Sequence, residues 1–197
     1  MTAWHGIVDQ VAVRPGEWVF VNGCGGLGLS AIHIARALGA SVIAADINPA
    51  ALALAKEQGA MHVINSKEED VVAKVHELTG GGAHVAVDAL GIKITCQAAI
   101  SSLRKRGRLL QAGLTSAAEE GYIPIPIDAL VLQELSIVGV ANMPIARFPD
   151  MMRMVENGVI DPQAMVTKTV NLKEAADIMQ NMGSFANPGV SVLTDWK

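Results

Sequence analysis

At 197 residues, with 51% hydrophobic and 17% charged side chains, the chain has apolar material for one packed domain, or one domain and part of a second. A formal net charge of −4 with no long basic run gives no footprint for nucleic acid, and no apolar run approaches the ~18 residues of a membrane span. Two cysteines, Cys24 and Cys96, cannot build a disulfide framework, no His/Cys spacing suits a metal, and the opening MTAWHGIVDQ lacks the basic-then-apolar plan of a secretion signal, so a reducing, cytoplasmic setting is expected.

In chain order, Thr2 to Val13 reads as a short helix or turn, and Arg14-Pro15-Gly16 as the turn into a first strand, Trp18 to Val21. A helix over Leu29 to Leu38, stopped by Gly39, and a second strand, Val42 to Ala45, ending at Asp46, follow. Asn48-Pro49 fits a helix cap and first position, for a helix from Ala50 to Gln58 ended by Gly59. His62 to Asn65 is a third strand, and Ser66 to Leu78 an amphipathic helix with a capping box from Ser66 to Glu69. His84 to Asp88 is a fourth strand, Thr95 to Leu103 a helix, and Gly107 to Ala112 a fifth strand ended by Gly113. Ser116 to Pro126 is irregular, Ile127 to Leu132 a turn or two of helix, and Ser136 to Val140 a sixth strand. Alternating strands and helices at this spacing predict an α/β fold, a doubly wound six-stranded parallel Rossmann sheet in the order 3-2-1-4-5-6.

From Met143 the character shifts. A Met-rich helix from Arg147 to Asn157 is closed by Gly158, and Leu172 to Met182 is a further helix. The strands Ala164 to Val170 and Val190 to Leu193 lie outside a completed sheet and need something to pair with. The expected division is therefore 1–142 and 143–197.

The first strand runs at once into G-x-G-x-x-G, with glycines at Gly23, Gly25 and Gly28. In this context Gly23 serves the tight turn, Gly25 lets backbone approach a pyrophosphate, and Gly28 lets the helix lie close to its strand. The free N–H groups and dipole of that helix favour a phosphate. Asp46 lies 18 residues beyond Gly28, near the ~20 expected of an acid that accepts from the ribose hydroxyls. It would repel a 2′-phosphate by roughly 1 to 4 kcal/mol at ~4 Å, which selects NAD over NADP.

On TAWHG, PGEWVFVNGCGGLGLSAIHIARALGA, VIAADIN and MVTKTVNLKEAADIMQNM, the chain resembles the medium-chain dehydrogenases, in their zinc-dependent alcohol dehydrogenase branch. The resemblance covers essentially the whole chain, but only the second half of such an enzyme. It implies an N-terminal domain that carries the zinc and the proton relay, then this coenzyme domain, then a tail that returns to complete the first domain, where the two late strands find their partners. By the same resemblance Thr2 sits near the nicotinamide, Gly25, Gly26 and Leu27 under the pyrophosphate, and Asp46 and Ile47 at the adenosine. Ala89 and Leu90, Gly113 and Leu114, and Val140 to Asn142 line the crevice, and strand six pairs across a homodimer axis. No catalytic or metal-binding residue is expected within the chain itself. Two departures stand out: 49–53 reads PAALA where some relatives carry a base, and Val190 replaces a late arginine. The alternatives are a stand-alone nucleotide-binding module and a zinc-independent quinone reductase, the latter disfavoured by Asp46. Substrate identity lies with the N-terminal half.

Other residues have competing readings. Cys24 at a helix start is either an activated thiol or simply small enough for the turn, with the second preferred. Asp88 either touches the coenzyme ribose or positions the turn at Gly91. His5 is expected at the surface or in a cap rather than facing substrate, and His33 packed or partly exposed. Arg104, Lys105, Arg106 and Arg108 precede the fifth strand, opposite the coenzyme edge, and are read as complementing a helix dipole. The methionines at 143, 151, 152, 154, 179 and 182 are read as packing surface.

Overall fold

The computed structural model describes residues 1–181 and 188–196. Helix α1 (Thr2–Trp4) runs into a π-helical turn, His5–Gln10, before β1 (Trp18–Asn22). Then come α2 (Gly26–Ala37), β2 (Ser41–Asp46), α3 (Pro49–Glu57), β3 (His62–Asn65), α4 (Val71–Thr79) and β4 (Ala83–Asp88). α5 (Lys93–Ser101), β5 (Leu103–Gln111), α6 (Ile127–Leu132) and β6 (Ser136–Gly139) complete the sheet, whose order is β3-β2-β1-β4-β5-β6 with every pairing parallel.

Burial on both faces explains the apolar strands. Val19, Val21, Val42, Ala44, Val85 and Val87 face a core built with α2, α3 and the N-terminal turn. Their neighbours Phe20, Ile43, Ala45, Ala86 and Leu109 face a second core built with α4 and α5. The period of two in each strand thus sorts side chains between two covered faces.

Beyond β6, α7 (Phe148–Glu156), β7 (Val166–Asn171), α8 (Leu172–Asn181) and β8 (Val190–Asp195) follow. β7 and β8 pair with each other in parallel, so each late strand finds a partner within the chain. A short 3-10 turn, Pro162–Met165, packs this segment onto α2, and the Gln58 amide donates to the Ala164 carbonyl at 2.8 Å. Met182, expected at the end of α8, lies outside the described residues. Met151 and Met154 do pack, against the first core, whereas Met179 is largely exposed.

α2 begins at Gly26 rather than Leu29 and α5 ends at Ser101 rather than Leu103, and two boundaries differ by more, for physical reasons. Ser66 does not start a helix: Asn65 engages the following N–H groups through its carbonyl, to Glu68 and Glu69, and through its side chain, to Lys67. α4 begins instead after Asp70, whose carboxylate accepts from Ala73 N at 3.0 Å. Strand β5 starts at Leu103 rather than Gly107, but its register against β4 breaks between Leu103 and Arg108, so residues 104–107 bulge out. No helix among the described residues is long and apolar enough to cross a membrane.

Candidate dinucleotide site

The carboxyl ends of β1, β2, β4 and β5 converge on one edge of the sheet. Gly23 has φ +99°, a conformation open to glycine, and turns the chain from β1 into α2. A β-carbon on Gly28 would lie 1.8 Å from the Gly23 carbonyl oxygen, which fixes how closely α2 sits on the turn. Gly25 has nothing within 4 Å of its would-be β-carbon. The backbone is therefore open at Gly25, the residue that caps α2, where a diphosphate would approach.

Asp46 ends β2 beside that turn. Its Oδ2 accepts the Cys24 N–H at 2.7 Å and its Oδ1 the Asn48 N–H at 2.9 Å. Each oxygen keeps a lone pair, so the carboxylate is held in place without being used up. Ile47, next along, is about half exposed.

Asp88 is fully buried at the end of β4. Its Oδ1 accepts from Leu90 N at 3.1 Å and Gly91 N at 3.2 Å, and its Oδ2 from the Gln111 amide at 2.8 Å. The turn-positioning reading of Asp88 is the one the geometry bears out. Gln111 also donates to the Gly113 carbonyl at 2.9 Å. Asn22, Asp88 and Gln111 are register neighbours across β1, β4 and β5, and Asn22 ties α5 in through the Thr95 carbonyl at 3.2 Å. Asn22 and Gln111 were not singled out from sequence. Their signal was a polar residue at the last position of an apolar strand.

Packing gathers most of the other expected residues. A β-carbon on Gly23 would meet Leu90 Cγ at 2.8 Å, and one on Gly91 would meet the Leu114 carbonyl at 2.2 Å. One on Gly113 would meet Gly91 N at 2.2 Å, so the loops after β4 and β5 lie back to back. Val140 follows β6 and donates its N–H to the Gln111 carbonyl at 3.2 Å. Asn142 adopts φ +57°, and Leu114 is 89% exposed at the rim. Thr2 is half-buried at the start of α1, which packs on α2. Val190 of β8 comes within 3.3 Å of a β-carbon placed on Gly26, so the C-terminal segment overlies the first turn of α2. Lys168 of β7 faces Ala50 and Leu54 across a cleft of about 470 Å³, beside the stretch that lacks a base.

A sequence model of the zinc-binding dehydrogenase family matches residues 26–157. The chain belongs to that family. It is 30% identical to a sorbitol dehydrogenase of Bacillus subtilis over 189 residues, 93% of this chain and 52% of that one. It is 34% identical to an NAD-dependent alcohol dehydrogenase of Sulfurisphaera tokodaii over 191 residues, 94% of this chain and 53% of that one. A crystal structure described as an NAD-dependent alcohol dehydrogenase superposes with TM-score 0.87 at 31% identity, over 99% of this chain and 56% of that one. The chain thus spans about half the length of the curated zinc-binding dehydrogenases it matches.

The remaining titratable groups have local explanations. Cys24 is fully buried, its thiol points at the Ala45 carbonyl at 3.6 Å, and burial, then Asp46, pushes its pKa up, so it is not an activated thiol. Burial and then Asp88 push Cys96 up to about 11. His5 donates Nδ1–H to Asp9 at 2.9 Å, and Asp9 accepts from Arg147 at 2.6 Å, which pins the π-helical turn to the residues before α7. His33 accepts the Asp161 N–H at 3.0 Å. The basic run does not serve a helix dipole, because α5 has no basic residue in its last turn and Arg104 to Arg106 stand on the β5 bulge. Among the described residues no three His, Cys, Asp or Glu side chains are grouped to hold a metal ion.

Proposed function

We propose that this chain is the coenzyme-binding part of a zinc-dependent alcohol dehydrogenase, with NAD(H) held by residues 1–142 and residues 143–197 returning toward an N-terminal zinc-bearing domain. The observation that carries the reading is the Asp46 carboxylate, anchored at 2.7 and 2.9 Å by backbone N–H groups beside an open glycine turn. Asp46 accepts the adenosine ribose hydroxyls, Ile47 covers the adenine, and Gly25, Gly26 and Leu27 present N–H groups to the diphosphate. Ala89, Leu90, Gly113 and Leu114 wall the crevice, and Val140, Asn142 and Thr2 orient the nicotinamide end.

When bound, the coenzyme supplies the hydride-accepting ring, and zinc in the N-terminal domain would polarise the alcohol oxygen. The role of this chain is binding, orientation and coenzyme choice, so by itself it has negligible turnover. Its setting is cytoplasmic, and β6 pairs with its copy in a homodimer. The names of the relatives, the family match and the open glycine turn support the nucleotide; the resemblance supports the zinc domain and the dimer.

Parallel titrations with NADH and NADPH, read by nicotinamide fluorescence, test the reading. Saturable NADH binding with NADPH at least tenfold weaker is expected; tighter NADPH binding would overturn the role given to Asp46. Light scattering behind size exclusion at micromolar concentration is expected to give a dimer, and a monomer there rejects pairing through β6.

A further inference from the structure

The opposite edge of the sheet carries a second concentration of donors. At the amino ends of β1, β4 and β5 a cleft of about 360 Å³ is lined by Arg14, His84, Arg104, Lys105, Arg106 and Arg108. Two carboxylates pair with this group. Glu17 meets Arg108 at 2.6 Å, and Glu134 meets Lys105 and Arg106 at 3.5 and 3.6 Å. Five permanent cations against two paired carboxylates leave a positive excess in a chain whose net charge is −4.

Hydrogen-bond accounting within the cleft does not close. The Trp18 N–H donates to His84 Nδ1 at 3.0 Å, so Nδ1 is unprotonated and the hydrogen of the neutral ring sits on Nε2. Arg104 Nη1, which can only donate, lies 2.8 Å from that Nε2. Two donors therefore converge with no acceptor between them. Arg108 Nε is buried without a hydrogen-bond partner among the described residues, and the Arg14 guanidinium has no hydrogen bond or ion pair among them. Backbone strain points to the same place: the bulge holds Arg106 at φ +63°, uncommon for a residue with a β-carbon.

We propose that this cleft is an anion site for a small phosphorylated molecule, held by Arg14, Arg104, Arg106 and Arg108 and hydrogen-bonded by His84 Nε2–H. Guanidinium forks match phosphate oxygens in pairs, and an oxygen that draws the exposed Arg104 fork aside accepts from it and from His84 Nε2–H, the two donors that now oppose each other. Among the described residues that line the cleft, none beyond His84 carries an aromatic ring on which bases could stack, so a compact di- or triphosphate suits it better than a nucleic-acid strand. The site is at the far edge of the sheet from Gly23, Asp46 and Asp88, and its occupancy is independent of the coenzyme reading.

The probe is inorganic pyrophosphate, titrated calorimetrically into the full chain with and without saturating NADH, against sodium chloride at matched ionic strength. One site per chain is expected, retained in the presence of NADH, with a perturbed His84 imidazole resonance. Arg104→Ala and Arg106→Gly are each expected to weaken it at least tenfold while NADH affinity stays unchanged. Arg104→Ala removes an opposed donor and Arg106→Gly suits the positive φ, so neither is expected to lower the melting temperature. Binding no stronger than the chloride control overturns the proposal. So does binding that NADH displaces and both substitutions leave intact, because that places pyrophosphate on the glycine turn.

Discussion

Gly28 sits so close to Gly23 that any side chain at 28 would collide with the Gly23 carbonyl oxygen, at 1.8 Å from the first added carbon. Gly25, three residues earlier, has φ −75° and empty space beside it. The two glycines therefore answer to different constraints, one internal to the fold and one, in the proposed reading, left to the coenzyme diphosphate. Gly28→Ala must push α2 off β1, and is expected to cost about 3 kcal/mol in urea unfolding, at the upper end of overpacking effects. Gly25→Ala is expected to leave that unfolding midpoint unchanged and to weaken NADH binding at least tenfold. Equal stability losses in the two variants would remove the distinction.

Asp88 is the polar hinge of the loops after β4 and β5. Its carboxylate collects two backbone N–H groups and the Gln111 amide in a site with no solvent exposure. Asp88→Ala strands all three donors, and buried unsatisfied groups cost about 1 to 3 kcal/mol each at most sites. A loss of roughly 3 kcal/mol or more is expected in chemical denaturation. Gln111→Ala strands one lone pair of a carboxylate that keeps two other donors, together with the Gly113 carbonyl, and is expected to cost about 1 to 2 kcal/mol. Gln111→Ala proving the worse of the two would contradict this hierarchy.

The glycine turn was legible because it rests on residues a few positions apart, the acid at 46 because a fixed spacing ties it to that turn, and the strand order because the alternation of strands and helices admits few topologies. The start of α4 departs from its sequence pattern through competing local caps. Ser66 and Glu69 have the spacing of a capping box, but Asn65 captures the intervening N–H groups and Asp70 offers a competing cap. What could not be read were pairings over long separations. The partner of Asp88 is 23 positions away, that of Asp9 138, and β7 finds its mate in β8 across α8. The bulge that displays Arg104 to Arg106 exists only against β4, so a single strand pattern reads straight through it.

The Asp9 network gives stability a defined pH dependence. Burial opposes ionisation of Asp9, but hydrogen bonds from Arg147 and His5 outweigh it and hold the folded pKa below its ordinary value. A depressed folded pKa contributes stability above the unfolded value of about 3.9, and that contribution is lost as pH falls through the lower folded value. Comparing urea midpoints of the wild type and Asp9→Asn should show an advantage for the wild type at neutral pH that shrinks as pH falls below the ordinary carboxylate range. An advantage that persists undiminished to pH 2 would show that charge plays no part and that the substitution acts through packing.

Asp46 joins two roles that substitution can separate. Its oxygens hold the Cys24 and Asn48 N–H groups, and in the proposed coenzyme reading its charge opposes a 2′-phosphate. Asp46→Asn keeps an acceptor for one of those N–H groups and removes the charge, so NADH affinity falls through the weaker ribose contact while the repulsion of NADPH disappears. At ~4 Å that repulsion is roughly 1 to 4 kcal/mol, and about 1.4 kcal/mol is tenfold, so the NADPH-to-NADH affinity ratio should rise at least about fivefold. Asp46→Glu keeps the charge on a longer arm that no longer fits between the two N–H groups. It should weaken both coenzymes without raising the ratio. Fluorescence titration of the three proteins with both coenzymes decides the matter: an unchanged ratio in Asp46→Asn would mean that preference comes from shape at Ile47 and Asn48 rather than from the carboxylate.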